Sequence, residues 1–385
     1  MKKHNTRTSA KQDKPKKRTM REIQELASQV QLTVGLDLGD RGSHYCIVDA
    51  ESNTLMEGKV ATTKTGFNAV FEPLGKLRIA LEAGTHSPWV SRHLSSLGHE
   101  VIVANPRRVA MIGESKHKND RVDAGKLAWL AQANPKLLFP IQHREEQTQL
   151  DLAQIRMREE LVKLRTSAIN AARGQAKALG YRLEDCDTDN AGLKLAEKLP
   201  EAAQKVLNPL LDTAAQLTAQ IKAAEREIHL VAKRYGEIEL LTAIYGVGEL
   251  TALAFVLTID DKERFDKSRE VGPYLGIVPG QNQSGESNPQ QRITKEGDRM
   301  LRWLLVQCAH CILKTGAPDS DLRRWGLKKL QEQANGKGKP NKKKVLVGVA
   351  RKLAVLMHRL WACGEVYDPL YNAKRQEALA NKTAA

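Results

Sequence analysis

At 385 residues the chain exceeds one ordinary core, so two domains are expected, and 41% hydrophobic residues suffice to fill them. No run approaches the roughly 18 apolar residues of a membrane span, and the polar, Lys/Arg-rich start lacks an apolar signal core. The expectation is a cytoplasmic protein, and five scattered cysteines suit a reducing compartment. A formal charge of +16 with only 4% aromatics points to a polyanion, nucleic acid above all, held by its backbone rather than by stacked bases. A membrane surface fits less well, because no basic amphipathic helix carries an aromatic apolar face.

Residues 1–31 read as a basic disordered tail. Eight Lys and Arg in the first twenty residues face Asp13 alone. Such a segment either orders on a polyanion or keeps the chain in solution.

Residues 32–140 read as an α/β domain. Thr33-Val34-Gly35-Leu36-Asp37-Leu38-Gly39-Asp40 is a short apolar strand with one acid, Asp37, inside it. Carboxylates are disfavoured in strands, so this one is either a ligand or catalyst, or a strand-end residue turning the chain. Ser43–Asp49 and Thr54–Ala61 pair around the turn Asp49–Asn53. A helix over Gly66–Leu74 precedes a fourth strand, Leu77–Glu82, that ends on an acid. A helix over Pro88–Leu97, a strand over Glu100–Val103 and a helix over Lys116–Ala131 complete the unit. Three meandering strands followed by alternating helices and strands are the order of a ribonuclease-H-like fold.

In that fold Asp37 lies on the central strand and Glu82 ends the fourth. Asp120 and Asp123 share one face of the last helix. Clustered carboxylates repel one another, and hard oxygen ligands bind Mg²⁺ or Mn²⁺; a metal pair stabilises both attacking and leaving oxygens at phosphorus. Taken singly, Asp120 and Asp123 read equally well as solvated helix charge beside Arg121, and Glu82 as a strand end.

Residues 141–235 change character. Glu145–Leu179 and Ala202–Arg234 are long helical runs around a loop at Gly180–Asn190, with Leu152, Ile155, Leu161 and Leu164 approximating a seam. A helical hairpin or coiled coil is expected, within one chain or between subunits.

Residues 236–370 read as a mainly α domain. Leu241–Ala252 reads as helix, turn at Gly246 and Gly248, helix, similar to a helix-hairpin-helix whose turn amides hold a phosphate; a plain tight turn is the alternative. A helix over Ser268–Leu275 leads to the polar loop Gly280–Pro289, which contains Ser284-Gly285 and a second serine, Ser287. The helix Asp298–Leu313 follows, with Lys295, Arg299 and Arg302 as candidate nucleic-acid contacts. Cys308 and Cys311 lie within it and read as core packing. A Gly/Lys/Pro linker at Gly336–Lys344 precedes a helix at Val345–Cys363, and residues 371–385 read as a polar tail. Serine is a weak nucleophile unless a base or metal activates it, and no histidine is near in sequence.

Asp37, Glu82, Asp120 and Asp123, followed by a helical spacer and a Gln-Ser-Gly loop, resemble the DEDD transposases of the insertion-sequence-110 class. The stretch Gly276-Ile277-Val278-Pro279, leading through Ser284-Gly285 to Ile293-Thr294-Lys295-Glu296-Gly297-Asp298-Arg299, carries much of the likeness, which spans about residues 32–316. The resemblance implies a RuvC-like domain with a Mg²⁺-binding acidic quartet and a transposase domain whose serine becomes transiently linked to DNA. It also implies element ends and target DNA as substrates, a structured noncoding guide RNA, and a homo-oligomer, dimer or tetramer, acting near the nucleoid. Ser287 is the second candidate nucleophile. The rivals are a hydrolytic RuvC-like nuclease such as a junction resolvase, an actin-like ATPase read from Gly35–Gly39, and a non-catalytic nucleic-acid-binding architectural protein.

Overall fold

The computed structural model describes residues 18–109, 120–183, 186–197, 199–285, 287, 289, 291–335 and 341–384. The chain divides into two compact units, one up to Arg144 and one from Glu145 onward. Among the described residues no helix is long and apolar enough to cross a membrane.

The first unit opens with α1 (Met20–Ala27), inside the segment expected to be disordered. Thr19 and Glu22 close a reciprocal capping box, and Ile23 is fully buried against the sheet's core. The polar, basic composition hid a single apolar anchor; residues 1–17 lie outside the described residues. Five strands follow: β1 (Thr33–Asp37), β2 (Gly42–Val48), β3 (Thr54–Ala61), β4 (Arg78–Glu82) and β5 (Glu100–Ala104). They form one mixed sheet in the order β3-β2-β1-β4-β5. β1 pairs antiparallel with β2 and parallel with β4, so β1 is the central strand.

The two faces of the sheet are covered differently. Val34 and Leu36 of β1 and Ile79 and Leu81 of β4 point to one face, where Phe67 and Phe71 of α2 (Lys64–Phe71) and Val90 and Leu94 of α3 (Ser87–Ser96) bury them. The alternating residues point to the other face, where α4 (Asp120–Ala133) lies. There Ala80, Ile102 and Ala104 meet Leu127 and Ala131, while Cys46 and Val48 meet Ala124 and Ala128. The period of two along each strand thus fixes which residues face α4. Residues 116–119, expected to begin this helix, lie outside the described residues.

The second unit is helical. α5 (Glu146–Ala178) and α7 (Glu201–Ala232) pack antiparallel within the one chain, joined through the short α6 (Ala191–Glu197), which falls between the expected loop at Gly180–Asn190 and the second expected run. Arg158 pairs with Glu225 and Arg165 with Thr218, fixing the direction. The seam runs through Leu152, Ile155, Arg165, Ile169, Ala172 and Ala176; Leu164 is 57% exposed. The expected seam drifted off this face because an arginine holds the position beside Leu164. Buried Arg165 there bonds Asp189 (2.7 Å) and Thr218.

The hairpin is not a separate spacer. Leu152 and Ile155 of α5 and Ile228 and Val231 of α7 belong to the same core as the C-terminal helices. Those are α8 (Glu237–Thr242), α9 (Glu249–Ile259), α10 (Val271–Tyr274), α11 (Arg299–Leu313), α12 (Asp321–Ala334), α13 (Lys342–Cys363) and α14 (Tyr371–Ala384). α9 is buried on every side from Thr251 to Ile259. Residues 371–384, expected as a polar tail, are helical: Asp321 accepts from the first amides of α14, Asn372 N (2.6 Å) and Ala373 N (3.3 Å). Residues 336–340 of the linker lie outside the described residues.

Candidate active site

Asp37 ends β1 and Glu82 ends β4, on adjacent parallel strands whose register runs Gly35↔Ala80 and Leu36↔Leu81. Continuing the register by one residue sets Asp37 beside Glu82, their strands about 4.8 Å apart. Both alternate with the buried Leu36 and Leu81, so both lie on the α4 face. Two carboxylates at neighbouring strand ends follow from the sequence placing one acid at each strand's last position.

α4 sits unusually close to β1. A Cβ on Gly35 would lie 1.9 Å from the Ala124 carbonyl oxygen and 2.4 Å from the Ala128 nitrogen. Only glycine admits the helix at this distance. Thr33 Oγ1 bonds Gln132 Oε1 at 2.5 Å, and Gln132 Nε2 donates to Ala50 O at 3.2 Å. The helix C-terminus therefore lies at the start of β1, and its N-terminal turn lies toward Asp37. Two strand residues advance about 6.8 Å and four to five helix residues about the same, which brings Asp37 level with the turn holding Asp120 and Asp123. Asp123 Oδ1 lies 3.5 Å from Lys126 Nζ, both side chains 22% exposed. The Asp120 side chain lies outside the described residues. Arg121 turns the other way, to Glu57 on β3.

Hard oxygen donors at two strand ends and one helix turn suit a hard divalent cation by their chemistry. Among the described residues no three acids, histidines or cysteines already stand in a ligating arrangement. Burial beneath α4 pushes the Cys46 thiol up to about 11, so it supplies no thiolate at neutral pH.

Two groups at this sheet end were not singled out from sequence. His86 Nδ1 accepts from Trp89 Nε1 (3.2 Å), leaving Nε2 to donate to Asp40 Oδ1 (3.3 Å). The pair ties the turn after Glu82 to the turn after Asp37. Ser87 Oγ accepts from Gly84 N and stands 2.9 Å from His143 Nε2. Burial, with Arg92 and Arg144 nearby, holds His143 below the usual imidazole range. Neither histidine stood out, because a lone His near an acid is a weak signal without its tertiary partner.

The serine loop belongs to the second unit. Thr294 N donates to Val278 O (3.0 Å) and Gly280 N to Arg292 O (2.9 Å), building a two-stranded ribbon. At its tip Ser284 and Ser287 exchange N–H···O bonds of 3.1 Å in both directions, around Gly285 at φ +56°. Both serines are exposed; Glu286 and Asn288 lie outside the described residues. The ribbon foot is rigid. Gly276 (φ +65°) and Gly297 leave no space for a Cβ, and Arg302 Nη1 donates to Leu275 O (3.1 Å) and Gly297 O (2.6 Å). Lys295, at φ +61°, and Arg299 are exposed beside it. Gly246 (φ +89°) turns the chain between α8 and α9, and Gly248 caps α9, with Glu249 in the first turn held by His229 (2.8 Å).

Two stretches of the chain match known families, the first running from the sheet unit on through α5 and the second lying within the helical unit. Residues 34–179 match the family described as DEDD transposase of the IS110 type, and residues 238–323 match the transposase IS116/IS110/IS902 family. The chain is 30% identical over 290 residues to the transposase for insertion sequence element IS1328 of Yersinia enterocolitica, covering 73% of this chain and 84% of that one. It is 27% identical over 366 residues to the transposase for insertion sequence element IS1111A of Coxiella burnetii, covering 92% and 94%. A pilin gene-inverting protein of Moraxella bovis is 26% identical over 349 residues, covering 87% and 97%. The chain belongs to the IS110 family of insertion-sequence transposases.

Proposed function

We propose that this transposase cuts and exchanges DNA strands with Ser284 as nucleophile and with Mg²⁺ or Mn²⁺ held by Asp37, Glu82, Asp120 and Asp123 on a ribonuclease-H-like, RuvC-like sheet. The observation that carries the reading is the pair of strand-end acids Asp37 and Glu82 on the face where the first turn of α4 lies. Central β1, antiparallel to β2 and parallel to β4, supports the RuvC-like assignment. A divalent cation held by Asp37, Glu82, Asp120 and Asp123 would supply positive charge for the oxygens that become negative at phosphorus. The four carboxylates would fix where that charge sits relative to the phosphate. Ser284 Oγ forms a bond to phosphorus as a P–O bond of the DNA breaks, and the departing oxygen takes up a proton. The reverse attack by another strand's free hydroxyl releases the serine, so the phosphate passes from strand to strand without hydrolysis.

Quartet and serine lie in different units of the chain, and a dimer or tetramer brings them to one phosphate in this reading. The turn at Gly246 and Gly248, acting as a helix-hairpin-helix, together with Lys295, Arg299 and Arg302, holds DNA backbone. A structured guide RNA supplies sequence recognition, while the +16 charge grips backbones. The test is incubation with element-end DNA, cognate RNA and Mg²⁺, followed by search for a serine-linked protein–DNA adduct. Ser284→Ala removes the adduct while Ser287→Ala keeps it, and Asp37→Ala abolishes cutting. Cutting that survives Ser284→Ala identifies a hydrolytic nuclease of the junction-resolvase kind instead.

A further inference from the structure

Two clefts open side by side on the second unit, away from the helix-hairpin turn. The larger, about 1070 Å³, lies between α12, α13 and α14; the smaller, about 670 Å³, between α12, α13 and the serine ribbon. Trp325 and Arg351 line both, so the two form one trough. Its lining is strongly basic. Arg269, Lys328, Arg351 and Lys352 are exposed along the larger part, and Arg292 and Lys343 line the smaller.

The one acid in the larger cleft, Asp321, is occupied by the amides of Asn372 and Ala373. Arg324 is paired with Asp319 and Arg359 with Glu365. Among the described residues these are the cleft's ion pairs; Arg269, Arg351 and Lys352 take part in none, and Lys328 lies in the field of Glu332. At the centre Lys352 Nζ stands 4.8 Å over the Trp325 ring. The ring is seated on Gly348, where a Cβ would lie 3.0 Å from the ring edge. Exposed cations around a partly buried tryptophan, one face of which Lys352 already covers, hold a strand chiefly by its phosphates, with the indole edge beside the bases.

We infer that this trough binds a single strand of DNA, the one flanking the phosphate that Ser284 attacks. The larger cleft is a hollow bounded by three helices rather than a flat face, a shape that suits one flexible strand. Continuity argues for the DNA strand. Ile277, Pro279, Arg292 and Ile293, the ribbon that carries Ser284 at its tip, form one wall of the smaller cleft. The assignment of this strand rests on the serine reading above.

The test is fluorescence anisotropy of the full chain with a labelled single-stranded DNA oligonucleotide across a salt series. The double variant Arg351→Gln/Lys352→Gln lowers affinity about tenfold, and its slope of log K against log salt is shallower by about 1.4, two contacts at about 0.7 each. Trp325→Leu also lowers affinity about tenfold, and an iodouridine-bearing strand crosslinks to Trp325. Melting curves check folding, and Arg269→Gln/Lys328→Gln stands in should the first pair not fold. Unchanged affinity overturns the proposal. So does an equal loss on blunt duplex DNA, which marks a general field, or a larger loss on RNA of the same sequence, which makes RNA the occupant. Absence of a serine adduct with trough binding intact overturns the serine chemistry alone.

Discussion

Asp151 shows how much a single side chain carries in this molecule. It is fully buried on α5, yet accepts from Arg234 Nη2 (2.5 Å), Tyr235 Oη (2.6 Å) and Gln147 Nε2 (2.9 Å). Burial and this bond push the Tyr235 phenol up, so the buried Asp151 charge is met by a neutral phenol on one side and by the half-exposed Arg234 guanidinium on the other. Asp151→Ala leaves these donors unmatched and is expected to destabilise the second unit by about 3 kcal/mol, read from chemical denaturation; a wild-type midpoint refutes the role. His358, 2% exposed, donates Nε2–H to Lys262 O (3.0 Å) and accepts at Nδ1 from Ser268 (3.0 Å). Burial holds its folded pKa below the ordinary 6.5. The unfolded chain therefore binds the proton more readily, so this contribution is complete above about pH 6.5 and shrinks as pH falls below it. His358→Gln is expected to flatten the melting temperature between pH 7.5 and 5.5; an equally steep profile in the variant counts against this.

At the scale of elements the contact between β1 and α4 decides the candidate site. The helix approaches only because Gly35 lacks a side chain, and the acids of its first turn come with it. Gly35→Ala forces α4 outward and is expected to cost about 3 kcal/mol and to abolish metal-dependent cutting. Retention of the wild-type melting point with full activity rules the contact out as a determinant. Four of the five strands were readable in sequence to within a residue, because apolar runs bounded by turns have few alternatives, while β1 stops three residues before the expected Asp40. The seam of α5 was less legible. Leu161 and Leu164 suggested one face, but the helix turns Arg165 inward and Leu164 out, since a buried arginine with two partners reads as surface charge in a linear pattern.

At the scale of the whole molecule the two units carry separate cores. The clusters on both faces of the sheet draw on residues 20–141 alone. Residues 18–144 expressed alone are thus expected to unfold cooperatively with a native-like heat capacity change. A non-cooperative melt shows that the rest of the chain is needed. The helical hairpin, by contrast, shares its core with the C-terminal helices, so a fragment ending at residue 235 exposes Leu152, Ile155, Ile228 and Val231 and is expected to aggregate.

Sequence alone determined the basic charge, the succession of strands in the first unit with the first at its centre, an acid on each of two of them and the family of the chain. Those are local or compositional properties, set by residue type and short-range periodicity. Only the tertiary structure decided that α1 anchors through Ile23, that α14 forms on Asp321, and that Asp37 and Glu82 share the face on which α4 lies. It also joined Trp325 and Arg351 to the foot of the serine ribbon. Each depends on partners tens of residues away, and a chain read in one dimension gives no distance between them.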